Sequence, residues 1–197
     1  GKKEGFLLDI LLKALENLPE YPLLLDTLAQ GQSAAVTGIA QINRSHLIAA
    51  LSNAVEKPMV VLCQDDLAAR RLQEELQAFL GETAPILPSR ELTLYDTAVV
   101  SRAWEQRRLG QLYDLTLGRT RLQIFSWEAL SLRTMPPQVL LQAAFTLEVG
   151  KEYPLDRLTD HLTGMGYSRC AMVEGPGQFS LRGGIVDIYS PAADLPI

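Results

Sequence analysis

Cysteine and histidine are scarce in this chain of 197 residues, which holds two of each. Cys63 and Cys170 lie far apart without CxxC spacing, and His46 and His161 are isolated in the sequence. Metal sites built on thiolates or imidazoles need several such residues at close spacing, and redox pairs need neighbouring thiols. We therefore expect no metal site, no redox chemistry and no cofactor.

Long hydrophobic runs are missing as well. No apolar stretch reaches the length of about 18 residues that a membrane-spanning helix needs. Residues 6–12 are mostly apolar, but no cleavage pattern typical of a signal peptide follows them. These absences predict a cytoplasmic protein with no membrane partner.

The sequence also lacks an excess of positive charge. Its 18 Lys and Arg residues are outnumbered by 23 Asp and Glu residues, so the formal net charge is −5 at pH 7. Affinity for a phosphate backbone comes chiefly from clustered Lys and Arg residues that release counterions. We therefore expect no direct DNA binding by this chain.

A phosphate-binding loop is the next missing feature. An apolar run that reaches Gly38 and continues into a helical pattern is where the motif GxxxxGK[ST] would lie. The motif would place its two glycines at Ala35 and Ala40, its lysine at Gln41 and its hydroxyl residue at Ile42. All four defining positions fail, so we expect neither nucleotide binding nor catalysis. Backbone N–H groups near Gly38 remain an alternative, as a simple anion site.

Up to residue 135 the sequence alternates helical and strand-like segments. Residues 66–80 carry an apolar face at helical spacing, with Asp65 or Asp66 to cap the start and Gly81 to end the helix. Short apolar runs without alternation predict buried strands at 33–37, 58–63 and 121–125. Further helices are expected at 6–17, 22–30, 44–55 and 103–117, the first two forming an N-terminal cap. This alternation predicts an α/β fold, a parallel sheet with helices on both faces.

Met135-Pro136-Pro137 interrupts this alternation, so we place a boundary between domains 1–135 and 136–197. The second domain is expected to begin with a strand-like run at 139–149 and a helix at 155–163. Three β segments follow at 167–173, 177–182 and 185–190, joined by turns whose glycines supply positive φ. We expect a small α+β domain with an antiparallel sheet.

Three carboxylates could in principle serve magnesium or acid–base chemistry. Asp65 and Asp66 precede a predicted helix, where capping explains them, and Asp187 lies in a predicted hairpin strand. We favour these structural roles and assign no catalytic residue.

Residues 177–191, GQFSLRGGIVDIYSP, resemble the signature hairpin of the excision-repair B-subunit family and of the related N-terminal module in bacterial transcription-repair coupling factors. The segments VVLCQDDLAARRLQEEL, LPSRELTLYDTAVVS and GYSRCAMVEGPGQFSLRGG support the resemblance, in family order. The segment LPSRELTLYDT and the failed phosphate loop make the chain more similar to the coupling factors than to the repair helicase, whose phosphate loop is intact. The resemblance implies that residues 1–135 form a degenerate nucleotide-binding-like, helicase-like lobe.

The resemblance also implies a protein-binding surface. Arginines matching Arg169 and Arg182 belong to the surface on which the B-subunit family docks the excision-repair A-subunit, UvrA, a DNA-binding ATPase. Phe179, which alternates with Arg182 in the hairpin, completes the predicted protein-binding set. This sequence departs from the helicase pattern at Ser180, where the helicase carries another arginine. Solvated arginines on an ordinary strand edge are the alternative interpretation.

These observations predict a non-catalytic module that recruits the A-subunit to stalled transcription complexes. In this hypothesis the ATP-dependent translocase and the contact with RNA polymerase lie in other regions of a longer protein, and the chain is truncated after residue 197. Two alternatives stay open: a lobe of an ATP-dependent DNA helicase or translocase, and an autoinhibitory module that binds other domains of the same protein.

Overall fold

The computed structural model describes residues 12–90 and 102–197, with side chains of the second range described from residue 104 onward. In chain order the described elements are α1 Glu20–Ala29, α2 Gln41–Ala54, β1 Met59–Cys63, α3 Asp66–Leu80, α4 Arg102–Thr116, β2 Leu122–Ser126, α5 Trp127–Ser131, α6 Pro137–Ala143, α7 Leu155–Gly164, β3 Ser168–Arg169, β4 Gln178–Arg182 and β5 Ile185–Tyr189. Among the described helices none is long and apolar enough to cross a membrane.

The described chain forms two compact units. The first contains the described residues up to Leu87 together with Thr120–Leu130, and the second contains Pro88–Arg119 together with Ser131–Ile197. The helix α4 therefore belongs to the second unit. A boundary between folding domains at residue 136 remains a prediction.

The sheet of the first unit has two parallel strands, with Val61 of β1 opposite Ile124 of β2. The other edge of β2 is also occupied, because Ile124 exchanges backbone hydrogen bonds with Pro85 and Leu87, each 2.9 Å long. All five residues of β2 are buried, so both faces of this strand are covered. The strand predicted at 58–63 is confirmed, but its predicted burial on both faces is wrong, since every second residue of β1 is exposed.

The helix α3 confirms the prediction made from its sequence. Asp65 accepts a hydrogen bond from the backbone N–H of Ala68 at 2.7 Å, and Gly81 ends the helix with a φ of 71°. These contacts satisfy backbone groups that a helix end leaves without intrahelical partners. Ala69 and Leu76 on its apolar face are fully buried in the core of the unit, which joins α2, α3 and both strands.

Other expectations for the first unit need correction. The strand predicted at 33–37 is wrong, because residues 32–40 are irregular and the segment 31–38 is exposed, so its apolar residues find no core to enter. The helix predicted from residue 22 begins instead at Glu20, since Pro22 lies in its first turn, where a missing N–H is tolerated. Of the helix predicted at 6–17, residues 6–11 lie outside the described residues and Ala14–Asn17 form a 3-10 turn.

The second unit combines α4, α6 and α7 with a three-stranded sheet in the order β3-β4-β5. β3 runs parallel to β4 and β5 runs antiparallel to it, so the sheet is mixed and the prediction of a wholly antiparallel sheet is wrong. Leu162 of α7, Phe179 of β4 and Ile188 of β5 form the centre of the core beneath the sheet.

Two segments of the second unit differ from their predicted form. The run 139–149, expected to be a strand, contains the end of α6 followed by irregular chain. Pro137 at the start of α6 favours a helix there, and short apolar runs do not distinguish a helix from a strand. The β segment predicted at 167–173 is reduced to Ser168–Arg169.

At the level of class the chain is α/β, with a parallel two-stranded sheet accompanied by helices and a separate three-stranded mixed sheet. A helicase-like lobe with helices on both faces of its sheet remains a proposal.

Candidate functional site

The candidate site is built on the hairpin of β4 and β5. Five residue pairs hold the two strands in antiparallel register, from Gln178 opposite Tyr189 to Arg182 opposite Ile185. Gly183 and Gly184 form the turn between β4 and β5. Of these two glycines only Gly183 has a positive φ, which is 60°. That combination fits a two-residue type II′ turn, which matches the natural twist of the strands. The hairpin therefore has a defined register and a tight tip.

The register separates the hairpin residues onto two faces, because residues that pair across strands share a face. Phe179 pairs with Ile188 on one face, whereas Ser180 pairs with Asp187 and Arg182 pairs with Ile185 on the other. The prediction that Phe179 and Arg182 point in opposite directions is confirmed.

Phe179 lies in the core and not on the surface. Its exposed fraction is 1%, and it clusters with Leu162 and Ile188. In this fold a partner protein has no access to the ring. We therefore interpret its contribution to a docking surface as support of the hairpin from beneath.

Ser180, interpreted above as the position of a missing docking charge, is also buried, with an exposed fraction of 1%. Its hydroxyl donates a hydrogen bond of 3.1 Å to the backbone oxygen of Ala171. The irregular segment after β3 thus covers this part of the hairpin. An arginine at position 180 would have to displace that segment before it could reach solvent.

Arg182 is the exposed charge of the hairpin, with 62% of its side chain accessible. It ends β4 directly before the turn, so the tip carries it away from the core. Its Nη2 donates to Oδ2 of Asp187 at 2.5 Å. Ile185, the residue opposite Arg182, is also exposed and adds apolar surface beside the guanidinium.

Arg169 lies on a different face from Arg182. It is exposed at the end of β3 and pairs in parallel register with Phe179. Since paired residues share a face, Arg169 belongs to the Phe179 face at the edge of the sheet. The structure therefore places the two predicted arginines in one small sheet but does not bring them together into a cluster.

Asp187 is the site residue whose role the sequence interpretation missed. It was assigned only a structural position in the hairpin, yet it forms the ion pair with Arg182. The signal was available, because a two-residue turn after residue 182 places residue 187 diagonally across from it on the same face. Diagonal neighbours are within reach of a long arginine side chain.

The residues on which the sequence analysis placed a failed phosphate loop lie in the first unit. Ala35, Gly38 and Ala40 belong to the irregular segment before α2, and Gln41 and Ile42 are the first two residues of that helix. Gly38 has a φ of 76°, and Ile42 is largely exposed. The cation and hydroxyl that would hold a triphosphate and its magnesium ion are not supplied by the side chains at 41 and 42.

The shifted pKa values of the second unit have structural causes. Burial raises the pKa of Tyr167, against the opposing effect of its hydrogen bond with Ser190. Burial also lowers the pKa of Arg108, whose Nη1 donates to the backbone oxygen of Pro88 at 2.9 Å. Arg108 is buried and Tyr167 is half-buried, so packing accounts for both shifts in pKa.

Comparison with known proteins agrees with this geometry. Residues 145–197, which contain the whole three-stranded sheet, match the family model of the UvrB interaction domain. The transcription-repair-coupling factor of Myxococcus xanthus is 33% identical over 180 residues, 87% of this chain and 15% of that protein. Those of Bacillus subtilis (strain 168) and Mycobacterium bovis are 29% and 31% identical, over 82% and 86% of this chain and 14% of each relative. The chain thus spans only a small part of the relatives' length.

The mixed sheet and its glycine-turn hairpin therefore belong to a UvrB interaction domain. Over most of its length the chain is similar to a segment of the transcription-repair-coupling factors, which supports its interpretation as the UvrB-like N-terminal module of that family. This is the family that the sequence resemblance indicated.

Proposed function

We propose that this chain is a non-catalytic docking module that recruits the excision-repair A-subunit to stalled transcription complexes. The observation that carries the proposal is the exposed Arg182 at the tip of a hairpin inside a matched UvrB interaction domain. The relatives are named for coupling transcription to repair, which requires a component that reaches the repair machinery. In this proposal, the contact with RNA polymerase belongs to other regions of the longer protein.

Arginine suits a docking role because its planar guanidinium can make two parallel hydrogen bonds to a carboxylate. Arg182 presents this group at the turn, and Arg169 presents another at the β3 edge. Because the two lie on opposite faces, they would contact different parts of the A-subunit. Sites without shared partners contribute nearly independently to a binding free energy.

The expected result for the two arginines is additive loss of binding to the purified A-subunit. Arg169→Ala and Arg182→Ala should each weaken affinity by about 5-fold or more, since truncating an interface arginine typically costs about 1–3 kcal/mol. The double variant should lose the product of the two factors. Isothermal titration calorimetry measures the affinities, and thermal melts of every variant establish that the fold is unchanged.

Arg157→Ala provides the matched control, because it removes the same charge from an exposed arginine of α7, outside the hairpin strands. Its affinity should equal that of the unaltered chain. The proposal fails if the unaltered chain does not bind the A-subunit. The assignment of the two arginines fails if the double variant and the control bind equally well.

We also expect no binding of Mg-ATP by this chain. Gln41 brings no cation for the β- and γ-phosphates, and Ile42 brings no hydroxyl for magnesium. Calorimetric titration with Mg-ATP should therefore show no heat of binding. A micromolar dissociation constant that disappears when residues 38–44 are altered would instead favour the alternative of a helicase or translocase lobe.

A further inference from the structure

The ion pair at the hairpin tip joins residues that are not direct partners across the strands. Asp187 lies opposite Ser180, and Arg182 lies opposite Ile185, so the pair is diagonal. Arg182 Nη2 and Asp187 Oδ2 are nevertheless 2.5 Å apart. The guanidinium therefore leans along the hairpin, back from the turn and toward β5.

Holding the hairpin together is a small part of what this contact does. Both side chains are partly exposed, 62% for Arg182 and 31% for Asp187, and water screens an ion pair in such a position. The strands are already fixed by five residue pairs and a tight turn. The main consequence of the pair is electrostatic, because a carboxylate neutralises the one exposed arginine at the tip and engages one of its nitrogens.

We propose that Asp187 is an internal competitor for Arg182, and that a carboxylate on a partner protein must displace or share this contact to dock on the hairpin tip. Residue 187 thereby sets the affinity of the surface. The inference rests on the proposed docking function and names the residue that limits it. Any acidic group that approaches the Arg182 guanidinium also approaches the Asp187 carboxylate within a few ångströms, where like charges repel.

Replacing Asp187 by asparagine removes the competing charge and preserves the shape of the side chain. Asp187→Asn should bind the purified A-subunit about 3- to 10-fold more tightly than the unaltered chain, the size expected for removing one like charge near a partly exposed contact. In an Arg182→Ala background the same replacement should change the affinity by less than about 2-fold, because no guanidinium is left to bring a partner carboxylate close to residue 187.

Asp160→Asn is the charge-matched control, because Asp160 is an exposed aspartate of α7, outside the hairpin strands. It should leave the affinity unchanged. An equal gain from the control, or an equal gain from Asp187→Asn with and without Arg182, would show a general effect of net charge and overturn the proposal. Weaker binding by Asp187→Asn would also overturn it, because Asp187 would then orient Arg182 for the partner.

A second probe tests the competition between Asp187 and a partner carboxylate without assuming that the partner is the A-subunit. A ten-residue oligoglutamate peptide offers carboxylates without any other feature of the A-subunit, and NMR titration of the hairpin amides can follow weak binding. If the unaltered chain does not bind the A-subunit, the docking function fails, but tighter oligoglutamate binding by Asp187→Asn still supports the competition. If neither probe binds Asp187→Asn more tightly than the unaltered chain, the proposal is overturned.

Discussion

Replacing Phe179 with alanine should lower the free energy of unfolding by about 3–5 kcal/mol, the usual cost of emptying a buried phenylalanine site. The ring is 1% exposed and packs between Leu162 of α7 and Ile188 of β5, so its loss leaves a cavity at the centre of the second unit. For a chain of this size the melting temperature should fall by roughly 10 °C. Urea titration followed by circular dichroism measures the change.

Two companion variants identify the cause. Phe179→Leu keeps most of the buried volume and should lose much less stability than the alanine variant. Met172→Ala truncates an exposed apolar residue of the same unit and should change stability by less than about 0.5 kcal/mol. Phe179→Leu should also retain binding to the A-subunit, if the ring acts only by supporting the hairpin. A folded Phe179→Leu protein that no longer binds would instead assign the ring a direct contact.

Features with a local cause could be predicted from the sequence. The helix α3 was predicted in full because Asp65 and Gly81 set its two ends through contacts with their own neighbours in the chain. The hairpin was predicted for the same reason, since the glycines after Arg182 permit a tight turn that fixes the register of both strands. The alternation of Phe179 and Leu181 with Ser180 and Arg182 gave the correct face for Arg182.

Features that depend on distant segments could not be predicted in this way. Ser180 is buried because the chain at Ala171 crosses over it, and no spacing within the hairpin reveals that contact. Likewise, the alternating exposure in β1 shows that one face of this strand is covered and the other is open, whereas β2 is buried on both faces. Apolar sequence alone cannot separate these two environments, since it does not state which face of a sheet other segments cover.

The same distinction applies to the predicted docking set. Resemblance placed Arg169, Phe179 and Arg182 in one group, but the sheet assigns them different positions: an edge, a core and a tip. Membership in one family motif is therefore weaker evidence that residues share a binding surface than their positions in the strand register. The strand register also places Asp187 diagonally across from Arg182, and this neighbour, which forms an ion pair with Arg182, was not in the group that the resemblance supplied.

Gly110→Ala should destabilise the protein, although alanine normally stabilises a helix interior by about 1 kcal/mol relative to glycine. Gly110 is buried within α4, where the chain at Pro191 approaches the helix closely. A Cβ atom at this position would overlap the carbonyl oxygen of Pro191 and lie 2.9 Å from its carbonyl carbon. Backbone atoms cannot move aside as a flexible side chain can, so the helix and the turn at 190–192 would have to separate.

We expect Gly110→Ala to lose about 1–3 kcal/mol of unfolding free energy, the range for overpacking a close contact. Gly164→Ala is the matched control, because Gly164 belongs to α7 and a Cβ there would meet nothing within 4 Å. This control should be neutral or gain up to about 1 kcal/mol, so of the two identical replacements only Gly110→Ala should lose stability. Equilibrium unfolding in urea measures both, and a gain for Gly110→Ala equal to that of the control would mean that α4 and the turn at Pro191 are not in close contact in solution.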